Sequence, residues 1–417
     1  GMELNEQQRQ VVEDLEQNIL LLAPAGTGKT NTLACRIEHI LATGKVLPEE
    51  ILCLTFTNKA CREMQERVKK QAGAVGMRVL IKTFHSFCYD IIKTEAKRHS
   101  DLFADFTIFD EADCQILLRD IAGEYPLRAL QQLLSQLKEW RARYQLYTED
   151  EEEDYRQTLL HLLQEQPQQV QALAVDGRYQ FDRDFYAAWQ AKGAAWTAAY
   201  DRRLHDIHGL DFTDLIVQAK VLLEQPPLAI KWTRRFAYIH IDEVQDTSEL
   251  EYDILSHIFG GSRLLLCGDY FQTIYEWRGS HPEVVLRRFQ EKWHPRRISL
   301  RENYRSTQIL LNASFAWLRH LFPERVAAFY PQGLEAVSRE PGEAIVLKGA
   351  LDFTDEAQWI YYTIQQLPAE AYDKVCILTR SNSYNKALAG QFLSLGRQLP
   401  KAQRLPFMLI DEMKFFR

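Results

Sequence analysis

The sequence predicts an α/β protein whose core is a parallel sheet wrapped by helices. Three observations lead there: strand-like and helix-like stretches alternate through residues 18–83, a glycine-rich turn directly follows the first apolar run, and strand character returns after a long helical interruption.

Taken in order, residues 18–22 form an apolar run without alternation, the pattern of a strand buried on both faces. The turn Ala23-Pro24-Ala25-Gly26-Thr27-Gly28-Lys29-Thr30 comes next and opens a helix expected over 29–43. A strand over 51–55, a helix over 58–71 and a strand over 79–83 continue the alternation. Residues 91–205 change character: Gln- and Leu-rich helical periodicity with no convincing strand reads as an inserted helical subdomain, and its acidic run 149–154 as a solvated loop or helix end. Strands at 236–241 and 264–267 resume the sheet, so one domain is assembled from 1–90 and 206–280. From 281 to 417, strand-like 343–347 and 374–379 flank a helix-like 355–367 and suggest the opening of a second α/β domain.

With 417 residues, 46% of them hydrophobic, the chain can form two or three cores. Its 50 basic and 57 acidic residues give a formal net charge of −7, which argues against a surface coated in basic charge. A local basic cleft is still compatible with that balance. The pairs Arg141/Arg143, Arg202/Arg203, Arg234/Arg235, Arg287/Arg288 and Arg296/Arg297 are its candidates, against the plainer reading of ordinary solvated charges. The seven cysteines are scattered, several inside apolar strand or helix patterns, as expected of free thiols in a reducing compartment. His85-Ser-Phe-Cys88 has metal-ligand spacing but no second ligand pair near it, so zinc is not expected. No signal peptide or membrane-length apolar run is present, which points to the cytoplasm.

Two segments carry chemistry. Gly26 and Gly28 leave the backbone free to curl its N–H groups around phosphates, Lys29 follows where an ammonium reaches β- and γ-phosphates, and Thr30 supplies a hydroxyl for Mg²⁺ at a helix start. The second segment, Ile239-His-Ile-Asp-Glu-Val-Gln-Asp246, is a short apolar strand that ends in adjacent carboxylates. Asp242 at such a strand tip can hold Mg²⁺, and Glu243 can orient and deprotonate a water. Together they predict Mg²⁺-dependent nucleotide chemistry.

Further motifs stand in a fixed order around these two: Leu4-Asn-Glu-Gln-Gln8, Leu54-Thr-Phe-Thr-Asn-Lys-Ala60, Thr83-Phe-His-Ser-Phe87, Phe212-Thr-Asp-Leu215, Gly268-Asp-Tyr-Phe-Gln-Thr-Ile-Tyr-Glu-Trp-Arg-Gly279 and Leu300-Arg-Glu-Asn-Tyr-Arg-Ser-Thr307. In that order the chain resembles the UvrD/Rep-type superfamily 1 DNA helicases from Leu4 to Arg417. The resemblance implies a complete RecA-like P-loop motor domain carrying the helical insertion, followed by the N-terminal part of a second RecA-like domain. It implies ATP held by residues 23–31, Asn31 included, with Mg²⁺ on Thr30 and Asp242, and Glu243 and Lys29 in catalysis. Gln8 would read the adenine edge, Gln272 would sense the γ-phosphate, Tyr304 would stack on adenine, and Arg305 would reach the γ-phosphate as an arginine finger. Phe56, Asn58, Phe84, His85, Tyr275 and Trp277 would meet single-stranded or partly duplex DNA, although a core role competes for Phe56, Phe84 and Trp277. Movement of 3′ to 5′ polarity and repair or recombination proteins as partners are further implications.

Three departures bear on this. Ala23 stands where the loop pattern usually begins with Gly, Asn31 stands where close relatives usually carry Arg near the adenine or ribose, and the chain stops at Arg417 before the later motifs. The expectation is therefore an ATP-dependent helicase or translocase present as a fragment. The rival reading is a catalytically weak ATP- and DNA-binding subunit or scaffold of a recombination complex.

Overall fold

Strands β1 (Ile19–Leu22), β2 (Ile51–Thr55), β3 (Leu80–Thr83), β4 (Thr107–Ile108), β5 (Gly209–Leu210), β6 (Tyr238–Ile241), β7 (Arg263–Gly268) and β8 (Arg296–Ser299) organise the larger part of the computed structural model. Six of them form one sheet in the order β3-β2-β6-β7-β1-β8, with every neighbouring pair parallel. The structure describes residues 3–24, 26–96, 105–178, 180–270, 282–303, 308–321, 323–330, 332–337, 342, 344–379 and 381–409. It divides into two compact units, Gly1–Gly342 and Glu343–Arg417.

The apolar runs in β1, β2 and β7, and that in β6 interrupted only by His240, have a direct cause in the sheet. Leu20, Leu22, Leu52, Leu54, Ile239, Ile241, Leu264 and Leu266 enter the core on one face. Ile19, Leu21, Ile51, Cys53, Leu265 and Cys267 enter a second core on the other. Side chains alternate across a strand, so a sheet covered on both faces needs an apolar residue at nearly every position. The second face is covered by α1 (Glu6–Glu13), α2 (Lys29–Ala42) and α3 (Asn58–Ala72), and the first by elements that include α4 (Phe84–Ala96).

Among the described residues, five helices make the insertion: α5 (Glu111–Ala122), α6 (Leu127–Tyr144), α7 (Glu151–Glu165), α8 (Pro167–Leu173) and α9 (Arg183–Asp206). They enclose a separate core that includes Leu133, Leu137, Leu159, Phe185, Trp189 and Tyr200. Where the chain enters and leaves this bundle, β4 and β5 pair in parallel, Thr107 with Gly209 and Ile108 with Leu210. The acidic run is the first turn of α7, begun by an Asp150 N-cap, where carboxylates favour the positive helix end. Beyond the insertion, α10 (Phe212–Leu223) and α11 (Pro226–Thr233) return the chain to β6, and α12 (Glu249–Ser256) precedes β7. Helix α13 (Pro282–Trp293) then leads into β8, which pairs with β1, so residues up to Ser299 complete the first sheet. Helices α14 (Gln308–Leu321) and α15 (Pro323–Phe329) follow in the same unit.

In the second unit, α16 (Phe353–Gln365) and α17 (Asn382–Arg397) pack through Ala357, Tyr361, Leu388 and Phe392. The strands expected over 343–347 and 374–379 do not form among the described residues. Val346, Leu347 and Leu378 are 71%, 93% and 89% exposed, and a β-like apolar pattern becomes a strand only when neighbouring strands supply its hydrogen bonds.

Candidate nucleotide and nucleic-acid site

Among the described residues of the first unit, the candidates gather where open α/β sheets place their sites, around the carboxyl ends of the parallel strands. Leu22 of β1 pairs with Gly268 of β7, and Leu54 of β2 pairs with Ile241 of β6. The loops that leave these residues therefore emerge side by side.

After β1 the chain turns through Gly26 at φ 81° and Gly28 at φ 75° before α2 begins at Lys29. These left-handed angles favour glycine, and a Cβ at Gly28 would lie 2.8 Å from Gln8 Nε2. Below the turn, the Thr27 hydroxyl donates to the Pro24 carbonyl at 2.6 Å and Gln8 Nε2 donates to the Thr27 carbonyl at 3.1 Å. Gln8 also closes a capping box with Asn5 at the start of α1 and is fully buried, so its amide braces the loop. Behind it, buried Arg36 of α2 donates to the Val11 and Asp14 carbonyls at 2.7 and 2.6 Å and to His240 Nε2 at 3.1 Å. Burial and this guanidinium push His240 down to about 3, so the ring is neutral and can accept that bond. Sequence reasoning missed this pair; the one signal was a histidine inside an otherwise apolar strand.

Asp242 follows β6 and is almost fully buried, its amide donating to the Leu54 carbonyl at 2.9 Å. Lys29 Nζ lies 2.9 Å from Asp242 Oδ1 and 4.0 Å from Glu243 Oε1. Glu243 itself sits in the left-handed region at φ 56°. That conformation costs a non-glycine residue on the order of 1–3 kcal/mol and is concentrated at functional sites. Burial raises the Glu243 carboxyl above its ordinary value, with Lys29 opposing and Asp242 adding to the rise. Next to this pair, Gln245 Oε1 accepts the Asp269 amide at 3.0 Å, and a Cβ at Gly268 would approach that same oxygen to 2.8 Å. Tyr330 ties the Asp269 end down further, donating to Asp269 Oδ1 at 3.2 Å while accepting the Tyr270 amide at 3.0 Å.

Asn31 is buried in the first turn of α2, its Oδ1 accepting from Gln71 at 3.3 Å while its Nδ2 has no protein partner. Thr30 lies one residue earlier in the same turn. The donor set fits a triphosphate with Mg²⁺: positive-φ glycines, one ammonium, one hydroxyl and one buried carboxylate, a sparse protein contribution typical of an ion that keeps several waters. Among the described residues no group of three or more His, Cys, Asp or Glu could hold a metal alone.

A second assembly lies at the ends of β2 and β3. The rings of Phe56, Phe84, His85 and Phe212 form a row with successive centroid separations of 5.7, 6.2 and 5.6 Å. Phe84 is fully buried, which corrects the expectation that its ring offers a face to a base; it supports the row from beneath. Phe212, at the start of α10, is 45% exposed, and it is the functional candidate that the motif Phe212–Leu215 contained without being singled out. Asn58 is exposed in the first turn of α3, capped by Thr57. Burial holds the His85 ring below its ordinary pKa, so it brings an aromatic edge rather than a charge.

Ala25, Gln272, Tyr275, Trp277, Tyr304 and Arg305 lie outside the described residues. Of the arginine pairs, Arg141, Arg143, Arg203, Arg288 and Arg296 are engaged with Asp154, Glu249, Asp120, Asp253 and Asp14 respectively, so these five are paired charges.

Comparison with known proteins agrees with this geometry. The chain is 29% identical over 424 residues to "ATP-dependent DNA helicase PcrA" of Staphylococcus aureus and, to the same extent, to the protein of that name from Staphylococcus epidermidis. Each alignment covers 99% of this chain and 51% of the relative, so the chain spans about half the length of the curated relatives it matches. The UvrD/REP helicase N-terminal domain model matches residues 4–293 and the UvrD-like helicase C-terminal domain model matches 298–417. With its RecA-like sheet and phosphate-binding loop in place, the chain belongs to the UvrD/REP helicase family.

Proposed function

We propose that this chain is an ATP-dependent DNA helicase or translocase that moves 3′ to 5′ along single-stranded or partly duplex DNA. The observation that carries the reading is the Lys29–Asp242–Glu243 cluster beside two positive-φ glycines, at the same sheet edge as a partly exposed aromatic row. Residues 1–90 and 206–280, closed by β8, would form the first motor domain, 91–205 the insertion, and the chain beyond Ser299 would contribute to a second. No described helix is long and apolar enough to cross a membrane, and we place the protein in the cytoplasm, acting in repair, replication or recombination with proteins of those systems.

As substrate, ATP would sit with its phosphates on residues 23–28, Lys29 and Thr30, and Asn31 Nδ2 would supply a buried donor nearby. Mg²⁺ on Thr30 and Asp242 would neutralise phosphate charge when bound. Glu243 accepts a proton from the attacking water as that oxygen bonds the γ-phosphorus and the bond to the β–γ bridging oxygen breaks, giving ADP and phosphate. Burial raises its carboxyl above the ordinary value, the direction that makes the carboxylate a stronger base. Lys29 stabilises the developing negative charge. Gln272 and Arg305 would sense and neutralise the γ-phosphate, Tyr304 would stack on adenine, and Phe56, Asn58, His85, Tyr275, Trp277 and the added Phe212 would bear on DNA.

The test is ATP hydrolysis by the full chain with and without single-stranded DNA. Stimulated turnover is expected. Binding of both ligands without turnover would instead make the chain a binding subunit.

A further inference from the structure

Lys138 is buried, at 4% exposure, and it belongs to the insertion rather than to the sheet. Its ammonium lies 3.1 Å from Asp201 of α9, 3.0 Å from Asp211 and 2.6 Å from Asp214. A buried ammonium needs such company, since an isolated charge would be expelled or neutralised. The position of two of its three partners gives the cluster its meaning. Asp211 is the N-cap of α10 and Asp214 closes the capping box with it, each carboxylate accepting the other residue's amide, at 2.7 and 3.1 Å. Between these two acids stands Phe212, whose ring meets His85 at 5.6 Å.

Other groups reinforce the joint from the insertion side. Tyr200 donates to Asp211 at 2.7 Å, and Tyr155 of α7 donates to Asp201. A cavity of about 370 Å³, lined in part by Lys138, Asp201, Asp214 and Val217, borders α10 here.

We propose that Lys138 is a positioning residue which, by clamping the Asp211–Asp214 capping box, fixes the exposed ring of Phe212 in the aromatic row and couples the helical insertion to DNA grip. The proposal rests on the reading of that row as a DNA platform. Lys138 touches neither DNA nor nucleotide; it acts through the first turn of α10.

A double-mutant cycle tests it on the full chain, with fluorescence anisotropy of a labelled oligothymidylate and the KM for ATP measured for Lys138→Met, Phe212→Ala and the double variant. Lys138→Met is expected to weaken oligonucleotide binding about tenfold, within the worth of one stacked base, and to leave the KM for ATP unchanged. In the Phe212→Ala background the same substitution is expected to have almost no further effect. Full additivity of the two losses overturns the proposal, because a general structural lesion does not depend on Phe212, and so does unaltered binding in Lys138→Met. If Lys138→Met does not fold, Asp214→Asn, which leaves the lysine two partners, is read in the same cycle with a smaller coupled loss expected and additivity again overturning. Phe212→Ala binding DNA like the parent sinks the platform reading itself; a loss there without one in Lys138→Met sinks only the coupling.

Discussion

Lys29 Nζ lies 2.9 Å from Asp242 Oδ1, although the two residues are 213 positions apart and stand in the segments that follow different strands, β1 and β6. Strand β7 lies between those strands in the sheet, so the contact is made across the top of three adjacent parallel strands. This relationship gathers a phosphate-binding ammonium, a buried carboxylate and the neighbouring Glu243 into one small volume.

Glu243→Gln keeps the size and polarity of the side chain but cannot accept the proton. ATP turnover is expected to fall by about 10²–10⁴ while nucleotide affinity changes little. Steady-state ATPase rates beside equilibrium binding of a fluorescent ATP analogue check this, and unchanged turnover would show that another group activates water.

Burial holds the Glu243 carboxyl above its ordinary value of 4.5, and only its deprotonated form is a base. Activity is therefore expected above the folded-state value and lost as pH falls through it. The acid limb of the kcat/KM profile, which reports the ligand-free enzyme, should lie above 4.5, and a limb at or below the ordinary carboxylate range contradicts the assignment.

Gly28→Ala meets two obstacles, a φ of 75° and a Cβ 2.8 Å from Gln8 Nε2. A stability loss of about 1–2 kcal/mol is expected from the angle alone. Displacement of Gln8 should weaken nucleotide binding as well, read by thermal melts with and without ATP.

Phe212 and Phe84 stand in one aromatic row with opposite exposure, 45% against 0%. Phe212→Ala is expected to cost DNA affinity about 1–3 kcal/mol with little change in stability. For Phe84→Ala the expected loss is in stability, about 3–5 kcal/mol. Urea denaturation and oligonucleotide binding separate the two, and a large stability loss in Phe212→Ala would count against its placement.

Arg36→Met removes the donor shared by the Val11 and Asp14 carbonyls and His240. Unpaired buried acceptors cost about 1–3 kcal/mol each. Because α1 carries Gln8, ATP affinity should fall together with stability; a melt shift with intact affinity would separate Arg36 from the loop.

The amino-acid sequence by itself determined the features that depend on local pattern. Apolar runs without alternation mark β1, β2, β6 and β7 as central parallel strands, Gly26 and Gly28 mark a turn of left-handed backbone, and the order of motifs marks the family. Only the tertiary structure decided what depends on neighbours. The apolar stretches within 343–347 and 374–379 have the composition of strands but pair with no strand among the described residues, and β8, with arginines at two of its four positions, is a strand because β1 offers it an edge. The same holds for the site. Phe84 and Phe212 are equivalent letters in a sequence, and their roles diverge because one ring is sealed in the core while the other is held at the surface on a capped helix end. Burial, pairing and the meeting of Lys138 with Asp211 and Asp214 arise from contacts between distant segments, which no local spacing encodes.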